Sequence, residues 1–337
     1  WTDTSRKETL SDKSSYRELV VGIWYPTLKD SQEKSVYYPR RWQSVLEKEQ
    51  GPFSFFTTHP YEKIQPWSSE NAPIASSSNP FPVVIFQPGF GKSAFDYTTL
   101  LEDIASHGYI VVASTPTYSA DLVVFNDGRR APATSLGSLP DNAGIFSDEM
   151  NKKTDELLGI WEQDVSFLLS RVGQISNDKD SFIYGKTDMS KIAVMGHSFG
   201  GAVAYQFCKS DLRCKISIDI DGTLFGSNKK KARVPLIYLS ADHSKDTGDS
   251  KIGDDYTESV LKDQIVGTSS LSIKDSAHMN FSDLGITSPR LRYFGVLGPI
   301  DGVTCLQQAR KYLQISLDKN LKAESLTSSR LQRKDRL

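Results

Sequence analysis

The apolar positions of this chain follow two rhythms that alternate along most of its length. Pro82-Val-Val-Ile-Phe-Gln87, Tyr109-Ile-Val-Val-Ala-Ser114, Lys191-Ile-Ala-Val-Met195, Lys215-Ile-Ser-Ile-Asp-Ile220, Val234-Pro-Leu-Ile-Tyr-Leu239 and Ser269-Ser-Leu-Ser-Ile273 are short runs rich in β-branched residues, and they predict strands. An earlier strand is expected over residues 17 to 25. Between these runs, apolar residues recur at helical spacing. Phe95 to His107 predicts a first helix, and Asp148 to Val172 a second, whose Leu157, Leu158, Trp161, Val165, Leu168 and Leu169 form a core-facing stripe. Ala202 to Phe207 and Tyr256 to Val266 predict further helices. Strands alternating with helices argue for a parallel sheet with crossover helices on its faces. Residues 115 to 147 carry Gly, Pro, Asn and Asp without clear periodicity, and are expected to lie over the surface and wall a pocket above the strand ends.

Directly after one strand run comes Gly196-His-Ser-Phe-Gly-Gly201, and a helical stretch follows it. A G-x-S-x-G between strand and helix builds a sharp turn that lifts the serine hydroxyl above the sheet edge, because the flanking glycines let the backbone approach itself. Ser198 is therefore the candidate nucleophile. The Phe199 amide opens the next helix, where an N–H has no intrahelical partner, and it is a candidate oxyanion donor.

Five histidines compete for the role of base. On this kind of scaffold the chain order is serine, acid, histidine. His59 and His107 precede Ser198; His59 lies in a loop and His107 reads as a helix C-cap beside Gly108. His197, the variable residue of the turn, is expected to point away from Ser198. His278 follows the last strand run and is preferred over His243, which follows the run before it. The acid that must orient the imidazole and stabilise its charged form is Asp221 or Asp242, each just beyond a strand run, with Asp219 a weaker third choice. Spacing leaves these open.

At this point the sequence resembles a family. Lys191-Ile-Ala-Val-Met-Gly-His-Ser-Phe-Gly-Gly-Ala202, Asp221 in Ile-Asp-Gly-Thr-Leu-Phe225 and Asp275-Ser-Ala-His-Met-Asn-Phe281 are similar to segments of the plasma-type platelet-activating factor acetylhydrolases. So are Val21-Gly-Ile-Trp-Tyr-Pro-Thr27, Pro82 to Gly91, Leu101 to Gly108 and Ile300 to Thr304, and the likeness extends over roughly residues 17 to 316. It implies an α/β-hydrolase fold, a central mostly parallel sheet flanked by helices on both faces. It also implies Asp221 as the acid and the Phe90 amide as the second oxyanion donor. The implied activity is calcium-independent hydrolysis of short or oxidised acyl esters of phospholipids. One departure is Pro88-Gly89, where that family usually shows His-Gly; proline donates no hydrogen bond, but the required amide lies beyond Gly89. The same chemistry would serve a lipase or cutinase-like carboxylesterase acting on acylglycerols or polyesters. A non-catalytic binding protein on this fold is the reading from another class.

Composition adds limits. The chain has 337 residues, 38% hydrophobic and 24% charged, enough for one large core. Residues 1–318 are expected as a single catalytic domain and 319–337 as a polar helix or tail. A formal net charge of −1 and the lack of a basic block argue against a nucleic-acid partner. No apolar run approaches the ~18 residues of a membrane span. Trp1 opens the chain where a methionine would stand in an unprocessed one, and the expectation is a secreted or periplasmic protein, with a cytoplasmic one as the alternative. Among the three cysteines, Cys208 and Cys214 are expected as buried free thiols unless the helix end and strand start bring them together, and Cys305 as core. No metal-ligand spacing is found, so neither metal nor cofactor is expected. Two aromatic stretches remain. Residues 51 to 67 are expected as satellite packing, and 287 to 300, beside His278, as a pocket rim or a site of transient lipid-surface contact.

Overall fold

The computed structural model describes residues 1–28, 33–49, 64–141, 143–227 and 230–322. In chain order the strands are β1 (Thr2–Lys7), β2 (Tyr16–Glu18), β3 (Val20–Trp24), β4 (Phe81–Gln87), β5 (Ile110–Thr115), β6 (Leu122–Val124), β7 (Arg130–Pro132), β8 (Thr187–His197), β9 (Cys214–Ile220), β10 (Leu236–Ser240) and β11 (Thr268–Ser272). The longer helices are α1 (Arg40–Glu49), α2 (Thr98–Ser106), α3 (Asp148–Asn177), α4 (Phe199–Ser210), α5 (Gly248–Lys262) and α6 (Gly302–Leu321).

Seven strands form one sheet in the order β11-β10-β9-β8-β4-β5-β3, parallel throughout except for β3, which runs antiparallel to β5. Side chains alternate across a strand, so each central strand feeds two cores. Val84, Phe86, Ala193, Met195, Ile216 and Ile218 pack under α2 and α6, while Val83, Ile85, Ile192 and Val194 pack under α3 and α4. The expected stripe of α3 is buried in the second core, with Leu157, Val165 and Leu168 at 0% exposure.

Four elements differ from the reading of the pattern. The early strand is two strands meeting at Leu19: β2 pairs with β1 outside the main sheet and β3 pairs within it. The expected helix at 95–107 begins as a 3₁₀ turn, Ala94–Tyr97, capped by Ser93, before α2 takes over. The aperiodic segment contains the hairpin β6–β7. The helix expected at 256–266 runs from Gly248 to Lys262; it buries only Gly253 and Thr257, so its inner face carries no apolar stripe to find. At the C-terminal end α6 reaches Leu321, a buried member of the first core.

Cys208 and Cys214 are not free thiols. α4 ends at Ser210 and β9 begins at Cys214, which leaves the two Cα atoms 5.3 Å apart and the sulfurs bonded. Cys305 is a buried free cysteine, as expected. Among the aromatic residues of 51–67, Phe53, Phe55, Phe56 and Tyr61 lie outside the described residues, and Trp67 is 87% exposed rather than packed.

A polar network hides in the α3 stripe. Asp164 sits among the leucines and accepts from Arg17 (2.7 and 3.2 Å) and Arg6 (2.7 Å), and Arg17 also meets Glu8 at 3.0 Å. The Arg17, Glu8 and Asp164 side chains are each 2% exposed, so the N-terminal strands are pinned to α3 by buried charge. Removing one member leaves the others uncompensated. Arg17→Met is expected to lower unfolding free energy by about 3–5 kcal/mol, read from the midpoint of chemical denaturation.

Candidate active site

Ser198 stands between β8 and α4 with φ 55° and ψ −126°, a backbone conformation that non-glycine residues rarely adopt. The turn closes because its neighbours lack side chains. A Cβ on Gly196 would lie 2.2 Å from the Gly200 carbonyl carbon, and one on Gly200 would lie 2.2 Å from the Gln87 carbonyl oxygen. The Ser198 amide donates to the Ile220 carbonyl at 2.8 Å, tying the turn to the end of β9.

Asp221 follows β9 at φ 57° and is buried. Its Oδ2 lies 2.7 Å from Nδ1 of His278, which the loop after β11 supplies. Asp242 contacts neither His278 nor His243 through its side chain. Its Oδ1 accepts from the Ser244 amide (3.2 Å) and its Oδ2 from the Asp275 amide (2.9 Å), so it braces the loop that carries His278. Asp219 faces the other way, beneath α4, where it accepts from the Gly222 amide at 2.8 Å. Burial favours the protonated form of Asp221, but the hydrogen bonds from His243 and His278 outweigh it and hold this carboxyl well below the usual range. Neither the Ser198 hydroxyl nor Nε2 of His278 has a hydrogen-bond partner among the described residues, which leaves both available to a ligand.

Phe90 follows β4 and Phe199 opens α4, and their side chains meet. The Phe90 ring stacks on Trp161 (6.1 Å between centroids, 3° between planes), and Phe199 meets both edge-on at 5.6 and 5.1 Å. Trp161 therefore clamps the loop after β4 to the first turn of α4. Neither amide has an acceptor among the described residues.

His197 points away from Ser198 into the first core, as expected for the variable residue of the turn, but it is more than filler. Its Nδ1 lies 2.8 Å from the Tyr97 hydroxyl, which in turn accepts from the Gly89 amide at 3.1 Å. Its Nε2 lies 3.0 Å from the carbonyl oxygen of His278, and the two imidazoles sit 4.4 Å apart. Burial drops its pKa to about 3, so the ring is neutral; donating from Nε2 and accepting at Nδ1 satisfies every contact. Through this one residue the β4 loop, the serine turn and the His278 loop are joined. Period-two alternation from Ala193 and Met195 gave the signal, since it places His197 on the same inner face.

Two further contacts frame the site. Asp283 anchors the chain after His278 by accepting from the Tyr37 hydroxyl at 2.9 Å and from the Thr99 hydroxyl, while its own amide donates to the Asp96 carbonyl. The segment expected to wall the pocket does flank the β4 loop. The Asp121 amide donates to the Gly91 carbonyl at 3.0 Å, the Gly91 amide donates to the Ser119 carbonyl at 3.2 Å, and Phe146 packs against Phe225 just beyond Asp221. His243 lies near Asp221, Asp246 and Asp254. His107 caps α2 beside Gly108, and His59 lies outside the described residues. Two surface grooves, of about 630 and 450 Å³, run elsewhere and include none of Ser198, Asp221 and His278.

A mostly parallel sheet, a serine in a strained strand-to-helix turn and a histidine on a buried aspartate beyond the strand ends define an α/β-hydrolase. The family described as platelet-activating factor acetylhydrolase, isoform II, matches residues 7–123 and 175–331, and the chain belongs to that family. It is 25% identical over 282 residues to the platelet-activating factor acetylhydrolase of Cavia porcellus, an alignment covering 77% of this chain and 63% of that protein. The cutinase cut1 of Thermobifida fusca is 22% identical over 209 residues, covering 60% of this chain and 52% of that one. Among solved structures, a ferulic acid esterase from Streptomyces cinnamoneus superposes with a TM-score of 0.75 at 25% identity, covering 96% of this chain and 88% of that chain.

Tyr97→Phe deletes the hydroxyl between Gly89 and His197 and strands a buried donor and acceptor. Stability is expected to fall by about 1–3 kcal/mol by denaturant titration. Turnover of a soluble ester should fall more than KM rises, because the displaced groups tie the β4 loop to the Ser198 turn and the His278 loop.

Proposed function

We propose that this chain is a serine ester hydrolase of platelet-activating factor acetylhydrolase type, acting on short or oxidised acyl esters of phospholipids through an acyl-enzyme. The observation that carries this reading is the 2.7 Å contact of His278 with buried Asp221, beside a serine held at φ 55°. Asp221 fixes the His278 tautomer with the proton on Nδ1, leaving Nε2 to take the Ser198 proton as Oγ attacks the ester carbonyl. The amides of Phe90 and Phe199 hold the tetrahedral oxyanion, aided by the N-terminus of α4. His278 then gives its proton to the leaving alcohol, and water repeats the cycle on the acyl-enzyme. Each developing charge has a partner among these residues, so the reaction needs no calcium.

The substrate class is supported by the family match and by the loop that follows His278. A 3₁₀ turn there, Pro289–Phe294, holds Tyr293 and Phe294 at 82% and 79% exposure, with Arg290 and Arg292 in the same turn. Aromatic rings flanked by cations suit the phosphate and acyl boundary of a lipid surface. The runner-up, a cutinase-like carboxylesterase for acylglycerols or polyesters, is supported by the cutinase and ferulic acid esterase likenesses. Among the described residues no helix is long and apolar enough to cross a membrane. We infer export to an oxidising compartment, and the Cys208–Cys214 disulfide supports it.

Ser198→Ala is expected to lower kcat by about 10⁴- to 10⁶-fold and to abolish labelling by a fluorophosphonate probe. A native chain that the probe leaves unlabelled would instead be a binding protein. In a panel of short-acyl phosphocholines, p-nitrophenyl esters, tributyrin and polyester film, the phosphocholines should give the highest kcat/KM. Film hydrolysis without phospholipid turnover would install the runner-up. Replacing Tyr293 and Phe294 together by serine should cut turnover on phosphatidylcholine vesicles several-fold while sparing a soluble p-nitrophenyl ester; equal losses on both would sink the surface-contact role.

A further inference from the structure

Asp221 holds two histidines, one at each carboxylate oxygen. His278 meets Oδ2. His243, from the loop after β10, places Nε2 2.8 Å from Oδ1, which also accepts from the Ala241 amide at 2.5 Å. The opposite nitrogen of the same ring, Nδ1, lies 2.9 Å from Asp246 Oδ2 and 3.6 Å from Asp254 Oδ2. Asp221 comes from the end of β9, Asp246 from the histidine's own loop and Asp254 from α5, so carboxylates face the ring from three elements. The nearby cation of α5, Lys251, pairs with Asp255.

A neutral imidazole has one N–H. Whichever tautomer it took, one nitrogen would aim a lone pair at a carboxylate oxygen within hydrogen-bond distance. Only the imidazolium donates on both sides. It also gives Asp254 a positive neighbour; Oδ2 of that residue is buried and makes no hydrogen bond. The direction of its titration agrees: the Asp221 hydrogen bond, against burial and with help from Asp246 and Asp254, lifts His243 to about 9.

We propose that His243 is a positioning residue, a standing imidazolium that grips Oδ1 of Asp221 so that Oδ2 is turned to His278. This rests on the triad reading above. Two consequences follow from the geometry. Asp221 is held at both oxygens, so its plane cannot rotate away from the His278 ring. The positive ring beside Oδ1 also competes for the carboxylate's negative charge, so the pull that Asp221 exerts on the His278 ring is weaker than it would be without His243.

The test is the pH dependence of the rate at which a fluorophosphonate labels Ser198, together with kcat/KM on p-nitrophenyl acetate, in wild type, His243→Gln and His243→Leu. Glutamine keeps a neutral donor and leucine keeps none. The acid-side midpoint is expected to move up by about 0.5–1 pH unit in both variants, and the leucine variant should also lose about tenfold in its plateau. A structural role alone would lower the plateau or the melting temperature and leave the midpoint in place, and that result overturns the proposal. An NMR titration of the native protein guards against a variant that does not fold: a His243 ring found neutral at pH 7 overturns it equally. Wild type that is not labelled at all would end the reading of Ser198 itself, and this proposal with it.

Discussion

The site depends on three stretches of backbone coming closer than any side chain permits. The end of β8, the first turn of α4 and the exit of β4 meet so tightly that a methyl group at Gly196 or Gly200 would sit 2.2 Å from a main-chain atom. A Cβ at Gly89 would fall between Nδ1 of His197, the Tyr97 hydroxyl and Ser198. Ser198 can project its hydroxyl only by taking a positive φ, at a cost of roughly 1–3 kcal/mol. That cost is offset by what lies beneath. Ala193, Val194 and Met195 are wholly buried, and the strands on both sides of β8 fix where it ends. The packed sheet holds the turn in place, and the turn holds the hydroxyl.

From that crowded corner the other groups are placed by contacts that join loops distant in sequence. His197 links the β4 loop through Tyr97 to the backbone of His278, and Trp161 presses Phe90 against Phe199 from α3. Because the anchors are buried side chains on regular elements, the loops inherit the precision of the core. An open parallel sheet gathers its chemistry at the carboxyl ends of its strands for this reason. The chain leaves β4, β8, β9, β10 and β11 at that edge, and there it carries Phe90, Ser198, Asp221, His243 and His278 in turn.

Much of this was legible along the chain because the physics involved is local. Runs such as Val83-Val-Ile-Phe86 can bury both faces only in a covered sheet, and G-x-S-x-G after such a run has one geometry that fits. Legibility ended where the deciding contact was remote. Leu19 divides what reads as one strand because β1 competes for its first half, and nothing within residues 17 to 25 reveals that competitor. The helix expected at 256–266 begins eight residues earlier, at Gly248, a start left unmarked because the residues it buries are glycine and threonine, packed close rather than apolar. Cys208 and Cys214 looked like ordinary buried thiols because their pairing depends on where α4 stops, a boundary that composition does not set. Asp164 is a polar residue on an apolar stripe, which makes sense only once Arg17 and Arg6 arrive from the N-terminal strands.

The choice between neighbouring carboxyls shows how environment decides chemistry once the fold is set. Asp219 and Asp221 are two residues apart at the end of β9, one inside the strand and one just beyond it, and both are buried. Asp219 is inside the strand, pressed against Gly201 and Gly222, with a single amide donor and one oxygen that finds no partner. Burial raises its pKa well above the usual carboxylate range, so it favours the neutral acid. Asp221 lies just past the strand end, where φ 57° turns it toward the loops, and there it meets two imidazoles and the Ala241 amide. Those donors reverse the effect of burial and keep it ionised. Alternation alone would have put both residues on one side; the strand's termination separates them. The anion that an imidazole requires is found where the ladder stops, because only there is the carboxylate free of the sheet and within reach of the histidine loops.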